Sequence, residues 1–129
     1  MAANVEIVKG VYDALTAGNL EGVLDVLDPE ISWTDAEGFP YAGTYTGTDA
    51  VVENVFARLG SEWDPFRVAA SEFIDGGDQV VTLGRYSGMY KATGKSFEAD
   101  FAHVWTLRDG KAVRFRQYVD SALVQEALR

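Results

Sequence analysis

Apolar residues recur at helical spacing in the first part of the sequence. Spacings of three and four residues predict a helix that begins with Asn4 as its N-cap and ends near Ala17. Asn19 is predicted to cap a short second helix, which Pro29 ends because proline cannot continue the helical hydrogen-bond pattern. We therefore expect two consecutive helices before the first strand.

The next segment predicts a short strand, an aromatic loop and a third helix. Residues 31–35 alternate between apolar and polar side chains, and residues 36–47 are rich in Gly, Pro and Tyr. Thr48 is predicted to cap the third helix, whose apolar side continues to about Leu59. The loop is too aromatic for a simple linker, so we expect it to form the rim of a pocket.

The second half of the sequence alternates with the period of two that is typical of β-strands. A tight turn at Asp109-Gly110 is the clearest hairpin signal, and a short helix is expected over Ser121–Leu128. The pattern predicts four consecutive strands, over residues 66–75, 79–91, 95–108 and 112–120.

Helices followed by an antiparallel meander indicate an α+β fold in one domain, residues 1–129. Four long strands twist strongly, so helices packed on one face leave a concavity between themselves and the sheet. Both faces of the strands carry apolar residues, for example Phe101 and Trp105 opposite Val104. An exposed apolar outer face predicts a homodimer.

Composition and charge narrow the range of partners. The chain has 129 residues, 47% of them hydrophobic, and a net charge of −9, which disfavours nucleic acid and anionic membrane surfaces as partners. No cysteine is present, and no signal peptide or membrane-spanning segment is recognised in the sequence. We expect a cytoplasmic protein.

Several segments together carry a resemblance to a known family. They are Tyr12–Leu24, Trp33–Asp35, Tyr45–Val51, Gly84–Gly88, His103–Lys111 and Arg116–Asp120. Their combination resembles the ketosteroid isomerase-like, nuclear transport factor-like cone superfamily, and within it the SnoaL-like polyketide cyclases. The resemblance implies a cone-shaped barrel of a strongly curved, mostly antiparallel sheet, with three N-terminal helices enclosing a pocket and a short C-terminal helix.

The resemblance also implies roles for individual residues. Asp35 falls where ketosteroid isomerases keep the carboxylate that moves the substrate proton, and His103 matches a pocket histidine of the SnoaL-like cyclases. Gln117 stands where those cyclases keep an acid/base aspartate. The oxyanion tyrosine of the isomerases falls on Val11, next to Tyr12. The superfamily includes enzymes and non-catalytic binders, so the fold alone does not select an activity.

Asp35 and His103 are the candidate catalytic residues. A desolvated Asp35 is able to take a proton from carbon next to a carbonyl, although a strand-end aspartate that binds loop amides fits the same sequence. His103, the only histidine, lies between Phe101 and Trp105 on one strand face. It either polarises a substrate oxygen and exchanges a proton with Asp35, or is a core histidine bonded to a tyrosine.

Aromatic and amide side chains are the candidate ligand-binding groups. Gln117 is neutral, and its amide either binds a ligand or satisfies His103 across the hairpin. Aromatic residues around it supply apolar walls with a few hydroxyl groups. The predicted substrate-binding residues are Gln117, Tyr12, Trp33, Tyr41, Tyr45, Phe101 and Trp105.

Metal-ligand spacing and phosphate-binding loops are missing from the sequence, so no metal or other cofactor is predicted. The leading interpretation is a cofactor-free acid/base enzyme of isomerase, cyclase or dehydratase type that acts on a hydrophobic, carbonyl-bearing small molecule. One alternative is a non-catalytic carrier of such a molecule. Another is an adaptor whose cavity is filled by its own side chains, namely Val11, Leu15, Phe56 and Phe101.

Overall fold

A computed structural model describes residues 3–129 and contains helices followed by a long meander. The elements are α1 (Asn4–Thr16), α2 (Leu20–Leu24), β1 (Leu27–Asp35), β2 (Gly43–Thr46), α3 (Thr48–Val51), a π-helical segment (Val52–Phe56), α4 (Ala57–Glu62), β3 (Trp63–Gly76), β4 (Gln79–Tyr90), β5 (Lys95–Arg108), β6 (Lys111–Val119) and α5 (Ser121–Leu128). The predicted α+β order, the four long strands and the final helix are confirmed.

The six strands form one sheet with the order β2-β1-β6-β5-β4-β3. All neighbouring strands are antiparallel except β1 and β6, which are parallel. Register irregularities in β3, between Ala70 and Glu72, and at the β5–β6 pair, between Thr106 and Leu107, are of the kind that increases local twist. The sheet is open, because its edge strands β2 and β3 do not pair with each other.

Two of the three predicted helix caps are wrong. Asn4 is already the first residue of α1, and its side-chain amide instead donates to the carbonyl of Gly77, at 2.9 Å, in the β3–β4 turn. Thr48 likewise lies inside α3, and Gly47 takes the cap position with a φ of 91°, which glycine adopts without strain. Asn19 is confirmed, since its side chain accepts from the backbone N–H of Gly22.

The region around β1 also differs from the prediction. Helix α2 ends at Leu24 and not at Pro29, which lies within β1. Proline is tolerated there because the β1–β6 register is interrupted between Leu27 and Ser32, so its missing N–H breaks no regular ladder. The predicted loop 36–47 contains strand β2. This strand has only four residues, which are largely exposed and show no apolar alternation.

The inner face of the sheet carries the core, and the outer face is partly exposed. On β5 the alternating residues Phe101, His103 and Trp105, predicted to share one face, are buried, while α1 packs against β3 and β4. On the outer face, Ile74 is 50% and Tyr118 is 51% exposed. The homodimer expected through this face stays a prediction. None of the described helices, within residues 3–129, has the length and hydropathy needed to cross a bilayer.

Gly84 on β4 leaves room for the ring of Phe101 on the neighbouring strand. A Cβ atom at Gly84 would collide with the carbonyl oxygen of Ala69 and would lie 2.6 Å from Cζ of Phe101. Phe101 in turn stacks on Tyr86, with ring centroids 4.5 Å apart. The missing side chain at Gly84 therefore lets Phe101 occupy the inner face beside Tyr86.

We expect the Gly84→Ala variant to be less stable than the wild-type protein by about 1–3 kcal/mol, because the added methyl group overpacks the sheet. Gly10→Ala is the matched control, since Gly10 lies in α1 and a methyl group added there would have no neighbouring atom within 4 Å. That control should gain about 0.5–1 kcal/mol from helix propensity. Urea denaturation measures both, and equal stability of the two variants contradicts the packing argument.

Candidate active site

A cavity of about 870 Å³ lies between the inner face of the sheet and the helices. Its walls are mostly apolar. The π-helical segment contributes Val55 and Phe56, and α4 contributes Leu59. Val11, Leu15 and Phe56 line this space and leave it open, so the alternative of a filled cavity is wrong. The polar residues in the wall are Tyr12, Thr16, Asp35, Arg67, Tyr86, His103 and Gln117.

His103 lies in the middle of β5 and is 4% exposed. Its Nδ1 atom is 2.6 Å from the Tyr12 hydroxyl, and its Nε2 atom is 2.5 Å from the Tyr86 hydroxyl. Phe101 stacks on the imidazole ring at 4.0 Å between centroids. Burial lowers the pKa of His103 to about 3, so the ring is neutral at physiological pH.

The hydrogen bonds continue on both sides of the imidazole. Trp105 Nε1 donates to the Tyr12 hydroxyl at 2.9 Å, and Gln117 Nε2 donates to the Tyr86 hydroxyl at 2.9 Å. These five side chains, Trp105, Tyr12, His103, Tyr86 and Gln117, form what we call the histidine network. The network is anchored at one end because the backbone N–H of Ala36 donates to Gln117 Oε1 at 3.2 Å.

Asp35 ends β1, and the residue is 3% exposed and lines the cavity. One oxygen, Oδ1, accepts a hydrogen bond from Trp33 Nε1 at 3.0 Å. The other oxygen, Oδ2, is buried and has no hydrogen-bond partner among residues 3–129. Burial raises the pKa of Asp35 to about 7, although the hydrogen bond from Trp33 lowers it in part. This carboxyl is therefore able to take and return a proton near neutral pH.

Six of the nine predicted site residues line the same cavity. They are Tyr12, Trp33, Asp35, His103, Trp105 and Gln117. Of the two interpretations of His103, the structure shows the histidine bonded to tyrosines, and Gln117 reaches it through Tyr86 and not directly. Asp35 and His103 have no hydrogen bond to each other among the contacts of residues 3–129.

Tyr41, Tyr45 and Phe101 are not among the residues that line the cavity, and their role as substrate-binding residues stays a prediction. The Tyr41 hydroxyl donates to Glu62 Oε1 at 2.9 Å and accepts from Trp63 Nε1, while the Tyr45 hydroxyl donates to the carbonyl of Tyr41. These bonds hold the β1–β2 loop on the end of α4. Phe101 lies beside His103, with its ring stacked against the imidazole.

From the sequence, Tyr86 is only one of the aromatic residues of the expected apolar walls, and nothing singles out its hydroxyl. The strand register pairs His103 with Thr82, so Tyr86 is four residues away along β4. Alternation places Thr82 and Tyr86 on the same face, but the length and tilt of the tyrosine side chain decide where its hydroxyl lies. No local pattern carries that information.

No group of three His, Asp or Glu side chains within residues 3–129 is arranged to hold a metal ion. The chemistry that the described cavity offers is a carboxyl group with a pKa near 7, a neutral imidazole between two phenols, and an amide, all inside apolar walls. This combination is suited to moving a proton on a largely hydrophobic molecule.

Comparison with known proteins agrees with this architecture. The family model of the SnoaL-like domain matches residues 8–115. The chain belongs to the SnoaL-like family. An NTF2-like protein from Burkholderia thailandensis E264 is 43% identical and has a TM-score of 0.97, covering 100% of this chain and 99% of that chain. The predicted family and cone fold are therefore confirmed, with the SnoaL-like cone open at the β2 and β3 edges.

Two further structures resemble this SnoaL-like chain. TerC, co-crystallized with polyporic acid, is 30% identical with a TM-score of 0.87, and the match covers 98% of each chain. A protein with a ketosteroid isomerase-like fold from Catenulispora acidiphila, in complex with trimethylamine, is 20% identical with a TM-score of 0.81 and shows the fold alone; the match covers 95% of this chain and 91% of that chain. None of the curated proteins matches the chain.

The Asp35→Asn variant should be more stable than the wild-type protein at pH 8. The pKa of Asp35 rises from 3.8 to about 7 on folding, so its contribution to stability is present below pH 3.8 and is lost as the pH rises through 7. Asparagine resembles the protonated acid and removes this loss, which amounts to at most about 4 kcal/mol. The measurement is urea denaturation at pH 5 and pH 8, and a difference between variant and wild type that is the same at both pH values contradicts the assignment.

Proposed function

We propose that this SnoaL-like protein is a cofactor-free acid/base enzyme of isomerase, cyclase or dehydratase type, acting on a hydrophobic compound that carries a carbonyl group. The observation that supports it is the state of Asp35. Its carboxyl is buried in the cavity wall, its pKa is about 7, and one oxygen has no partner among residues 3–129. A carboxylate so placed is a general base that operates near neutral pH.

In the proposed reaction, Asp35 takes a proton from a carbon next to the substrate carbonyl and returns it to another position or passes it to a leaving group. The electrons move toward the carbonyl oxygen, which therefore needs a hydrogen-bond donor. Trp33 holds the carboxyl in place through Oδ1, so Oδ2 is the oxygen that faces the substrate proton.

The volume and lining of the cavity support a hydrophobic ligand. A volume of about 870 Å³ falls within the range of small-molecule sites, and aromatic side chains provide a large part of the wall. TerC, co-crystallized with polyporic acid, supports a ligand of aromatic, carbonyl-bearing type for this chain as well. The aromatic residues of the wall are Tyr12, Trp33, Phe39, Phe56, Trp63, Phe66, Tyr86, Trp105 and Phe115.

His103 has a positioning role in this proposal and does not exchange a proton with Asp35. Both of its ring nitrogens are bonded to tyrosine hydroxyls, and burial lowers its pKa to about 3. Protonation of the ring therefore does not accompany a reaction at neutral pH.

A non-catalytic carrier of the same type of molecule is the second candidate. The observation that favours it is Gln117, a neutral residue whose amide oxygen accepts from Ala36 and whose NH₂ group donates to Tyr86. Gln117 therefore supplies no acid or base. Within the described cavity wall Asp35 has no second Asp or Glu to share proton transfer with.

Ligand binding followed by hydrogen exchange separates the two candidates. Aromatic ketones, quinones and lactones are screened by thermal shift, and ligands with a C–H bond next to the carbonyl are incubated in D₂O and followed by proton NMR. We expect the wild-type protein to exchange this hydrogen at a rate that rises with pH and levels off above about 7, because the base must be deprotonated. Binding without exchange in any ligand supports the carrier.

Asp35→Asn should lower the exchange rate by at least about 100-fold while it leaves ligand binding within a few fold, because the amide keeps the shape but cannot accept the proton. Asp13→Asn, on the exposed side of α1, is the matched control and should exchange like the wild-type protein. Exchange that persists in Asp35→Asn excludes this carboxyl as the base.

A further inference from the structure

The donors at both ends of the histidine network are fixed by chemistry. The backbone N–H of Ala36 is only a donor, so the oxygen of the Gln117 amide faces it and the NH₂ group donates to Tyr86. The indole N–H of Trp105 is also only a donor, so the Tyr12 hydroxyl accepts from it. Each of the two tyrosine oxygens thus already accepts one N–H bond.

The imidazole between the tyrosines has one proton for two nitrogens when it is neutral. Its bare nitrogen accepts from one tyrosine hydroxyl, and its N–H group donates to the other. The second tyrosine then accepts two hydrogen bonds, and its own proton has no acceptor inside the network. A protonated ring would free both hydroxyl protons. In every case at least one tyrosine has a hydroxyl proton to donate outside the network.

Several features indicate Tyr86 as this donor. Gln117 connects the Tyr86 hydroxyl to the backbone of Ala36, the residue that follows Asp35, so the hydroxyl and the carboxyl lie at the same end of the cavity. Burial chiefly, and then the negative charge of Asp35 and the neighbouring Tyr12, raise the pKa of Tyr86 well above its usual range. A nearby carboxylate attracts the hydroxyl proton, which favours the tautomer with the imidazole proton on Nε2.

We propose that Tyr86 donates a hydrogen bond to the carbonyl oxygen of the bound ligand, and that His103, protonated on Nε2, directs that hydroxyl proton into the cavity. This inference rests on the proposed function, because it places the carbonyl oxygen beside the base, Asp35. It also defines a ligand class, since the position next to Tyr86 favours a ligand oxygen that accepts a hydrogen bond and disfavours a group that only donates, such as an amide N–H. Tyr86 is then a specificity-determining residue, and His103 and Gln117 are its positioning residues.

Benzophenone and diphenylmethane test the hydrogen bond, because they share two phenyl rings and differ in the carbonyl group. The wild-type protein should bind benzophenone about fivefold to tenfold more tightly than diphenylmethane, the effect of one net hydrogen bond. Tyr86→Phe should reduce this preference to about onefold to twofold. Tyr118→Phe, on the exposed outer face, is the matched control and should retain the wild-type preference.

Three outcomes overturn the proposal. They are a wild-type protein without the preference, a Tyr86→Phe variant that keeps it, and a Tyr12→Phe variant that loses it while Tyr86→Phe does not. The titrations are followed by tryptophan fluorescence, and circular dichroism of each variant checks that it is folded. A Tyr86→Phe variant that is unfolded is replaced by Gln117→Leu, which removes the N–H bond to Tyr86 and should weaken the preference in the same direction.

Nitrogen-15 NMR of the imidazole reports which nitrogen of His103 carries the proton. A purely structural role of Tyr86 does not determine this tautomer. His103 is the only histidine in the chain, so the labelled signals need no assignment. We expect the Nε2–H tautomer in the benzophenone complex, and a predominant Nδ1–H tautomer contradicts the proposal. If the benzophenone and NMR tests fail while the protein still exchanges hydrogen through Asp35, only the role of Tyr86 is rejected. If the benzophenone preference is present but no hydrogen exchange occurs, only the catalytic function is rejected.

Discussion

A neutral imidazole held between two phenol hydroxyls is the contact on which the polar part of the cavity depends. His103 brings together Tyr12 from α1 and Tyr86 from β4, and Gln117 extends the chain of bonds to the end of β1. Each polar group in this chain has at least one partner, which compensates most of the cost of burial, and one tyrosine hydroxyl proton is left for an acceptor outside the chain. The helix layer and three strands are therefore aligned by hydrogen bonds as well as by aromatic packing.

Burial acts in opposite ways on the two ionisable groups near this contact. His103 loses its proton, since its pKa falls from 6.5 to about 3, and Asp35 holds its proton more tightly, since its pKa rises from 3.8 to about 7. Both shifts favour uncharged forms, which is what a low-dielectric cavity imposes. The contribution of His103 to stability is lost as the pH falls from 6.5 to about 3, so the two residues oppose each other between pH 3.8 and 6.5.

Much of the fold was predictable because it follows from periodic patterns. Alternation along residues 95–108 and the Asp109-Gly110 turn specify the central hairpin, and the bounds of α5 agree with the prediction. The cap at Asn4 was mispredicted because a tertiary contact, the bond from Asn4 to Gly77, competes with capping, and the cap at Thr48 because Gly47 takes the cap position. Strand β2 has no apolar alternation and depends on its neighbour β1 for pairing.

The site was predictable in part, and for a different reason. The faces of β5 and β6 placed His103, Trp105 and Gln117 inward from sequence alone, but the positions of hydroxyl groups did not follow from alternation. Tyr41 resembles a pocket residue in sequence, yet Glu62 and Trp63 bind its hydroxyl. Tyr86 acquires its role from a bond across two strands to His103.

The π-helical segment Val52–Phe56 has a consequence for the shape of the cavity. Its hydrogen bonds close after five residues where those of an α-helix close after four, so one extra residue is accommodated in the turn. Val55 and Phe56, although consecutive, both face the cavity from this widened turn. We therefore expect an insertion or deletion of one amino acid in this turn to change which side chains face the chamber.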